Sequence, residues 1–188
     1  MAVLYLASKS PRRRQLLDQI GIDYELLATD VDEAQLDGET PAAYVQRVAL
    51  DKARAGQARA DKPLPVLAAD TAVVLDGRVL GKPAGRNEAI AMLLSLSGRS
   101  HEVYTAVALA HDREQVALSR SRLCFRPLTE AECIAYCDTD EPWDKAGAYG
   151  IQGRGAVFVS RIEGSYSAVV GLPLYETAQL LSTLESSG

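Results

Sequence analysis

The stretch VLAADTAVVLDGRVLGKP, residues 66–83, constrains the fold more than any other part of the chain. Val66 to Leu75 read as an apolar strand, Asp76-Gly77 as a hairpin turn, and the residues after it as a returning strand. One residue interrupts the apolar run. Asp70 lies inside it, where a bare carboxylate costs several kcal/mol of desolvation unless a cation, a metal or hydrogen bonds compensate. A strand aspartate satisfied by backbone groups is the competing reading, and the strand alone leaves both open.

Strands and helices alternate around this hairpin. VLYLA (3–7) is a short strand, and a helix follows over 11–20 with Ser10 as N-cap, Pro11 at its first position and Gly21 as a left-handed stop. Thr40 and Pro41 open a second helix over 40–60, which sets Tyr44, Val48 and Lys52 on one stripe. A helix over 86–97 ends at Gly98, strands occupy about 101–110 and 115–125, and TEAE (129–132) is a capping box. Residues 144–155 form a glycine-rich loop, strands lie near 156–162 and 166–170, and a last helix starts at about Pro173. The class is α/β. At 188 residues with 47% hydrophobic content, the chain is expected to form one domain over 1–188.

Charge and composition narrow the function. A net charge of −5 argues against the broad basic surface that nucleic-acid binding needs, and 6% aromatic residues offer few stacking platforms. No apolar run is long enough to cross a bilayer and MAVLYLA lacks the form of a signal peptide, so the expected address is the cytoplasm. Cys124, Cys133 and Cys137 make no disulfide framework; Cys133 and Cys137 read as small core residues. With His101 and His111 as the only histidines, a histidine-rich zinc site is not expected.

The unusual charges then point one way. SKSPRRRQLL (8–17) puts Arg12, Arg13 and Arg14 against the positive end of a helix dipole, at about 0.3–1 kcal/mol each if nothing answers them. Arg14 lies about 100° further round the helix and receives no role. Lys52 either carries its ammonium inward or snorkels to water, and Lys82 in a turn is ordinarily solvated. The acids of TDVDE (29–33) either ligate Mg²⁺ or Mn²⁺ or form a solvated loop. The glycines of AGAYGIQGRG (146–155) either free N–H groups for an anion or simply let the chain turn. Together these features describe a phosphate site: cations for oxyanions, a metal to neutralise them and a base for water. Neither the P-loop nor the dinucleotide-binding fingerprint is present.

Four segments, LASKSPRRRQLL, LAADTAVVLDGRVLGKP, DKAGAYGIQG and GSYSAVVGLPLYET, occur in this order over nearly the whole chain and resemble the Maf family of nucleoside triphosphate pyrophosphatases. The resemblance implies a central mixed β-sheet flanked by helices, with two lobes, a cleft and an architecture like that of the inosine triphosphate pyrophosphatases. It also implies a metal-dependent hydrolase, using Mg²⁺ or Mn²⁺, that cuts a nucleoside triphosphate between its α- and β-phosphates. Ser8, Arg12 and Arg13 match the family's phosphate motif, and Lys52, Asp70, Thr71 and Lys82 its central site, with Asp70 in the place of the general base. Glu33 matches an acid near the metal.

Asp144, Lys145 and Gln152 follow the form of the branch acting on dTTP and UTP rather than on 7-methyl-GTP, which assigns base selection to Arg12, Thr71 and Gln152. Lys9 departs from the family pattern by standing where a small or neutral residue is usual. A homodimer is the assembly that the resemblance implies. The rival class is a nucleotide-binding cell-division regulator without turnover, which would need the cations but not an activating carboxylate. An aspartate with an unshifted pKa near 4 is a poor base at neutral pH, so Asp70 is expected to share its work with metal-bound water.

Overall fold

A βαβ unit opens the chain: β1 (Leu4–Leu6), α1 (Pro11–Gln19) and β2 (Tyr24–Leu26), with β2 parallel to β1. The computed structural model describes residues 3–185, so the expected domain limits at 1 and 188 lie outside the described residues. α1 stops where Gly21 takes φ +69° and the N–H groups of Gly21 and Ile22 return to the carbonyls of Asp18 and Leu17. Ser10 holds the N-cap position but its side chain makes no capping bond; Ser8 Oγ instead accepts from the Ser10 N–H at 3.2 Å. α2 (Pro41–Gln57) starts as expected, with Thr40 accepting from the Ala43 N–H at 3.2 Å.

The hairpin joins β3 (Val66–Leu75) to β4 (Arg78–Leu80) through Asp76 and Gly77, both at positive φ as a tight primed turn requires. Then come α3 (Arg86–Leu96), β5 (Ser100–Ala110), β6 (Glu114–Phe125) and α4 (Glu130–Cys137), the last opened by the Thr129–Glu132 capping box. The chain closes with β7 (Val159–Glu163), α5 (Tyr166–Val170) and α6 (Leu174–Glu185). The strand order is β2-β1-β3-β5-β6-β7, with β4 also on β3; β1 runs parallel to both of its neighbours and the other pairs are antiparallel. This is the mixed sheet flanked by helices that the family resemblance implies.

Two expectations fail locally. Residues 166–170 form a helix, not a strand: five residues are too few to show a period, and Ser165 Oγ caps them by accepting from the Ala168 N–H at 3.2 Å. The strand expected near 156 begins at Val159, because residues 154–158 are wound into a 3-10 turn.

The two-residue period of β3 sorts the core. Val66, Ala68, Ala72 and Val74 pack with Val45, Ala49 and Ala53 of α2 on one face. Leu67 and Ala69 pack on the other with Leu16, Leu17, Val170 and Leu180. Beyond them, Val73, Leu75 and Phe125 meet Leu93 and Leu96 of α3 and Cys133 and Cys137 of α4, so both cysteines are core residues as read. No helix among the described residues is long and apolar enough to cross a membrane.

One irregularity in the sheet positions the site. β1 accompanies β3 only through Tyr5↔Val66 and Leu6↔Leu67, and β4 pairs with it only from Val73↔Leu80 onward. Between those two pairings that edge of β3 is open, at Asp70 and Thr71. The chain leaving the carboxyl end of β1 carries Ser8 to the opening, and the chain leaving β4 brings Lys82 back to it. A strand end where neighbours diverge is the usual place for a ligand crevice in open α/β sheets.

Candidate active site

A cavity of about 340 Å³ fills this opening, and of the residues predicted for the site it gathers Ser8, Arg12, Arg13, Glu33, Lys52, Asp70, Thr71 and Lys82. Gln152 alone among them lies elsewhere. Lys82 and the atypical Lys9 are exposed at the rim.

Asp70 is 5% exposed. It shares the face of β3 that meets α2, and there Lys52, one turn beyond Val48, points inward rather than to solvent. Lys52 Nζ lies 2.9 Å from Asp70 Oδ1 and 3.1 Å from Glu33 Oε1, so one ammonium joins both acids. Tyr44, on the same stripe, donates to the Glu33 carbonyl at 2.9 Å and fixes the loop that carries this acid. Burial, with the charges of Asp70 and Glu33, pushes the Tyr44 phenol up to about 12. Asp70 Oδ2 is buried and has no hydrogen-bond partner among the described residues. Burial also raises the Asp70 carboxyl above the ordinary aspartate range, against the opposing pull of Lys52 and Arg13. The unshifted value assumed from sequence is therefore replaced by one better suited to a base.

Thr71 faces the opposite side of the strand and meets Arg13. The Arg13 guanidinium donates to the Gly171 carbonyl at 2.8 Å, and to Ser8 Oγ and Thr71 Oγ1 at 3.4 Å each. Thr105, fully buried and in register with Thr71, donates to the Ala168 carbonyl at 2.7 Å, so across the 3.0 Å contact Thr71 is the donor and keeps its lone pairs toward Arg13. Arg12 reaches Asp144 at 3.1 Å, and Asp144 also accepts from Lys145 at 2.7 Å. The arginines at the start of α1 are thus answered in part by the protein itself, where the sequence offered only a ligand. Thr105 carried no sequence signal, since its value depends on strand register.

A second cavity, of about 330 Å³, adjoins the first at Arg12, Thr71, Asp144 and Val170. Val73, Val103, Tyr149 and Ile151 make it largely apolar, and Gln152 and Lys145 supply polar groups at its walls. Tyr149 Oη is 2.7 Å from His101 Nε2, and the buried imidazole packs edge-on to Phe125 with ring centres 4.9 Å apart. A cationic cavity opening into an apolar slot has the chemistry of a triphosphate next to its base and sugar.

The glycine-rich run does present N–H groups to an anion, as one reading of the sequence allowed, but the anion is internal. Glu141 accepts from the N–H groups of Arg154 at 2.7 Å and Gly155 at 3.2 Å. Neither Glu141 nor its partner Tyr136 was identifiable from the sequence.

Among the described residues no group of three or more His, Cys, Asp or Glu side chains converges as a protein-only metal cage. The orphan Oδ2 of Asp70 and the neighbouring Glu33 carboxylate do fit Mg²⁺ or Mn²⁺, ions that are commonly held by one or two carboxylates together with substrate phosphates.

Fold and cavities together define an α/β protein whose cationic cavity, beside a buried acid, has the chemistry to suit a phosphorylated ligand. The chain belongs to the Maf family: the family model for Maf-like protein matches residues 3–184. It is similar to the dTTP/UTP pyrophosphatase of Alkalilimnicola ehrlichii, at 54% identity over 97% of this chain and 93% of that protein. It is also similar to the dTTP/UTP pyrophosphatase of Bordetella avium, at 56% identity over 95% of this chain and 93% of the relative. Among solved structures, the Ham1 protein of Staphylococcus aureus is a distant likeness, with a TM-score of 0.47, 19% identity, and coverage of 65% of this chain and 71% of that one.

Proposed function

We propose that this protein hydrolyses dTTP and UTP to the nucleoside monophosphate and pyrophosphate. The observation that carries the reading is Asp70, buried, raised in pKa and left with one free oxygen on a cavity ringed by Arg12, Arg13, Lys52 and Lys82. The names of the relatives, at over half identity across nearly the full chain, support the same reaction and substrates. A regulator without turnover would use the cations but has no need of that free oxygen.

In this reading Asp70 Oδ2 takes a proton from the attacking water. The water oxygen bonds to the α-phosphorus as the bond to the bridging oxygen breaks, and pyrophosphate leaves in line. Arg12, Arg13 and Lys82 receive the charge that grows on the leaving group, with Ser8 beside them, while Lys52 keeps Asp70 and Glu33 in register. A divalent cation, Mg²⁺ or Mn²⁺, held by Asp70 and Glu33 together with the substrate, supplies charge neutralisation when bound. Base selection falls to Arg12, Thr71 and Gln152, a reading supported by Arg12 and Thr71 bordering both cavities and by Gln152 lining the slot. The amide of Gln152 offers a donor and an acceptor, matching the O2, N3 and O4 edge of a pyrimidine. The resemblance to the family carries with it a free nucleotide as substrate, rather than nucleic acid or a membrane, and a homodimer acting in the cytoplasm.

Purified protein with Mg²⁺ or Mn²⁺ and a panel of nucleoside triphosphates, with products identified, tests this. dTTP and UTP should react fastest, each giving equal amounts of monophosphate and pyrophosphate. Preference for 7-methyl-GTP would overturn the substrate reading; orthophosphate as the product, or no turnover, would overturn the reaction.

A further inference from the structure

Gln152 carries base selection in the reading above, yet among the described residues no hydrogen bond holds its amide, and the side chain is exposed at the slot. Its position is therefore that of its backbone. The loop from Gly150 to Gly155 is tied at both ends to one pair of side chains. At the near end the Gly150 N–H donates to Tyr136 Oη at 3.1 Å. At the far end the N–H groups of Arg154 and Gly155 donate to Glu141 Oε1 and Oε2 at 2.7 and 3.2 Å. Tyr136 Oη then donates to Glu141 Oε2 at 2.8 Å, joining the two ends.

The glycines are there because the clasp is tight. A Cβ on Gly153 would sit 2.4 Å from Glu141 Oε1, and one on Gly155 would sit 2.6 Å from the Gly150 carbonyl and 2.9 Å from Tyr136 Oη. Lys145 closes the other side: Nζ donates to the Glu141 carbonyl at 2.8 Å, and its stem lies where a Cβ of Gly150 would fall. Glu141 is itself a wall of the slot.

We propose that Glu141 is a positioning residue for base selection, its carboxylate clasping the 150–155 loop through Tyr136 and two backbone N–H groups so that Gln152 is presented at one fixed place in the slot. The inference rests on the substrate reading above and deepens it. Three donors converge on two oxygens, which calls for an anion: hydrogen bonds to an ionised acceptor are the stronger kind, and a chain of them polarises along its length. Burial opposes the charge on Glu141, but the Arg154 N–H, the Tyr136 hydroxyl and the Gly155 N–H together hold its carboxyl below the ordinary range. An amide in its place turns an NH₂ toward donors and releases at least one of them.

The test compares the purified wild type, Glu141→Gln and Tyr136→Phe with dTTP and dCTP, whose bases differ on the edge an amide reads. Inorganic triphosphate serves as a competitive inhibitor that occupies the cationic cavity without a base. In Glu141→Gln the KM for dTTP should rise about tenfold and the dTTP over dCTP preference in kcat/KM should fall by a similar factor, on the scale of a small misplacement of a binding group. The kcat for dTTP should stay within about threefold, and the inhibition constant of inorganic triphosphate within about twofold, because the Asp70 cavity is untouched. Tyr136→Phe cuts one link and keeps the charge, so it should move KM and preference the same way by less. It also carries the test if Glu141→Gln does not fold. An unchanged dTTP over dCTP ratio in the variant tested, or an equal loss for both nucleotides and inorganic triphosphate, overturns the inference and leaves the substrate reading standing. A wild type that does not prefer dTTP over dCTP overturns both.

Discussion

At the residue scale the chain's chemistry turns on Asp70 and its one ammonium partner. Asp70→Asn keeps shape and removes the charge, and Lys52 retains Glu33 at 3.1 Å, so the variant should fold. Turnover of dTTP should fall at least ~100-fold, the scale of losing a general base or a central charge. Because the base works only when deprotonated, steady-state rates across pH should show an acid limb in kcat/KM that is missing from the residual activity of Asp70→Asn. Near-normal turnover in the variant would remove Asp70 from the chemistry. Its burial was legible from an acid inside an apolar strand, whereas the stripe shared with Tyr44 and Val48 left the inward turn of Lys52 open beside snorkelling to water. Glu141 was not legible: one acid among several in DTDEPWD (138–144) gives no sign that Gly153, twelve residues on, leaves room for its carboxylate.

At the scale of elements, the start of α1 shows where local rules suffice and where they fail. The helix-dipole argument treats Arg12 and Arg13 alike, as misplaced cations whose removal leaves the ligand-free protein no less stable. The structure separates them. Arg12 is partly exposed and pairs with a more exposed Asp144, a contact worth about 0–1 kcal/mol, which the relieved dipole repulsion of about 0.3–1 kcal/mol offsets. Arg12→Ala should therefore weaken dTTP binding with little change in the urea midpoint. Arg13→Ala strips the Gly171 carbonyl, Ser8 and Thr71 of a shared donor and should cost about 1–3 kcal/mol in the same denaturation, besides impairing catalysis. Equal midpoints for the two variants would refute the distinction. Elements signalled by their own residues were readable: the Thr40 cap, the Asp76-Gly77 turn and the Thr129–Glu132 box each act within four residues. α5 was not, because its five residues, YSAVV, are too few to carry a period. Nor was the opening beside Asp70, which exists only because β1 and β4 meet different stretches of β3.

For the molecule as a whole, both cavities are lined by β3 of the same sheet, and the buried His101 makes stability depend on pH. The imidazole sits beneath the apolar slot against Tyr149 and Phe125, and burial lowers its pKa from 6.5 to about 4. The folded state therefore refuses a proton that the unfolded chain accepts. This contribution is fully present above the unfolded value of 6.5 and is lost as pH falls toward about 4. At about 1.36 kcal/mol per pKa unit the whole window is worth about 3 kcal/mol, of which about 2 kcal/mol is gone by pH 5. Asp70 has the opposite sign: its raised carboxyl takes up a proton in the folded state first, so lowering the pH through that range favours folding. The carboxyls held low by their partners, such as Glu39 and Glu132, begin to lose their contribution as pH falls through the ordinary carboxylate value of 4.5. His101 should thus dominate between pH 6.5 and 5. Urea unfolding at pH 7 and pH 5 should show the wild type losing about 2 kcal/mol across that interval. His101→Gln keeps a polar group for the Tyr149 hydroxyl but cannot titrate, so its stability should be nearly flat over the same range, even if lower at pH 7. Parallel losses in both proteins would mean that His101 is not the group the fold holds neutral.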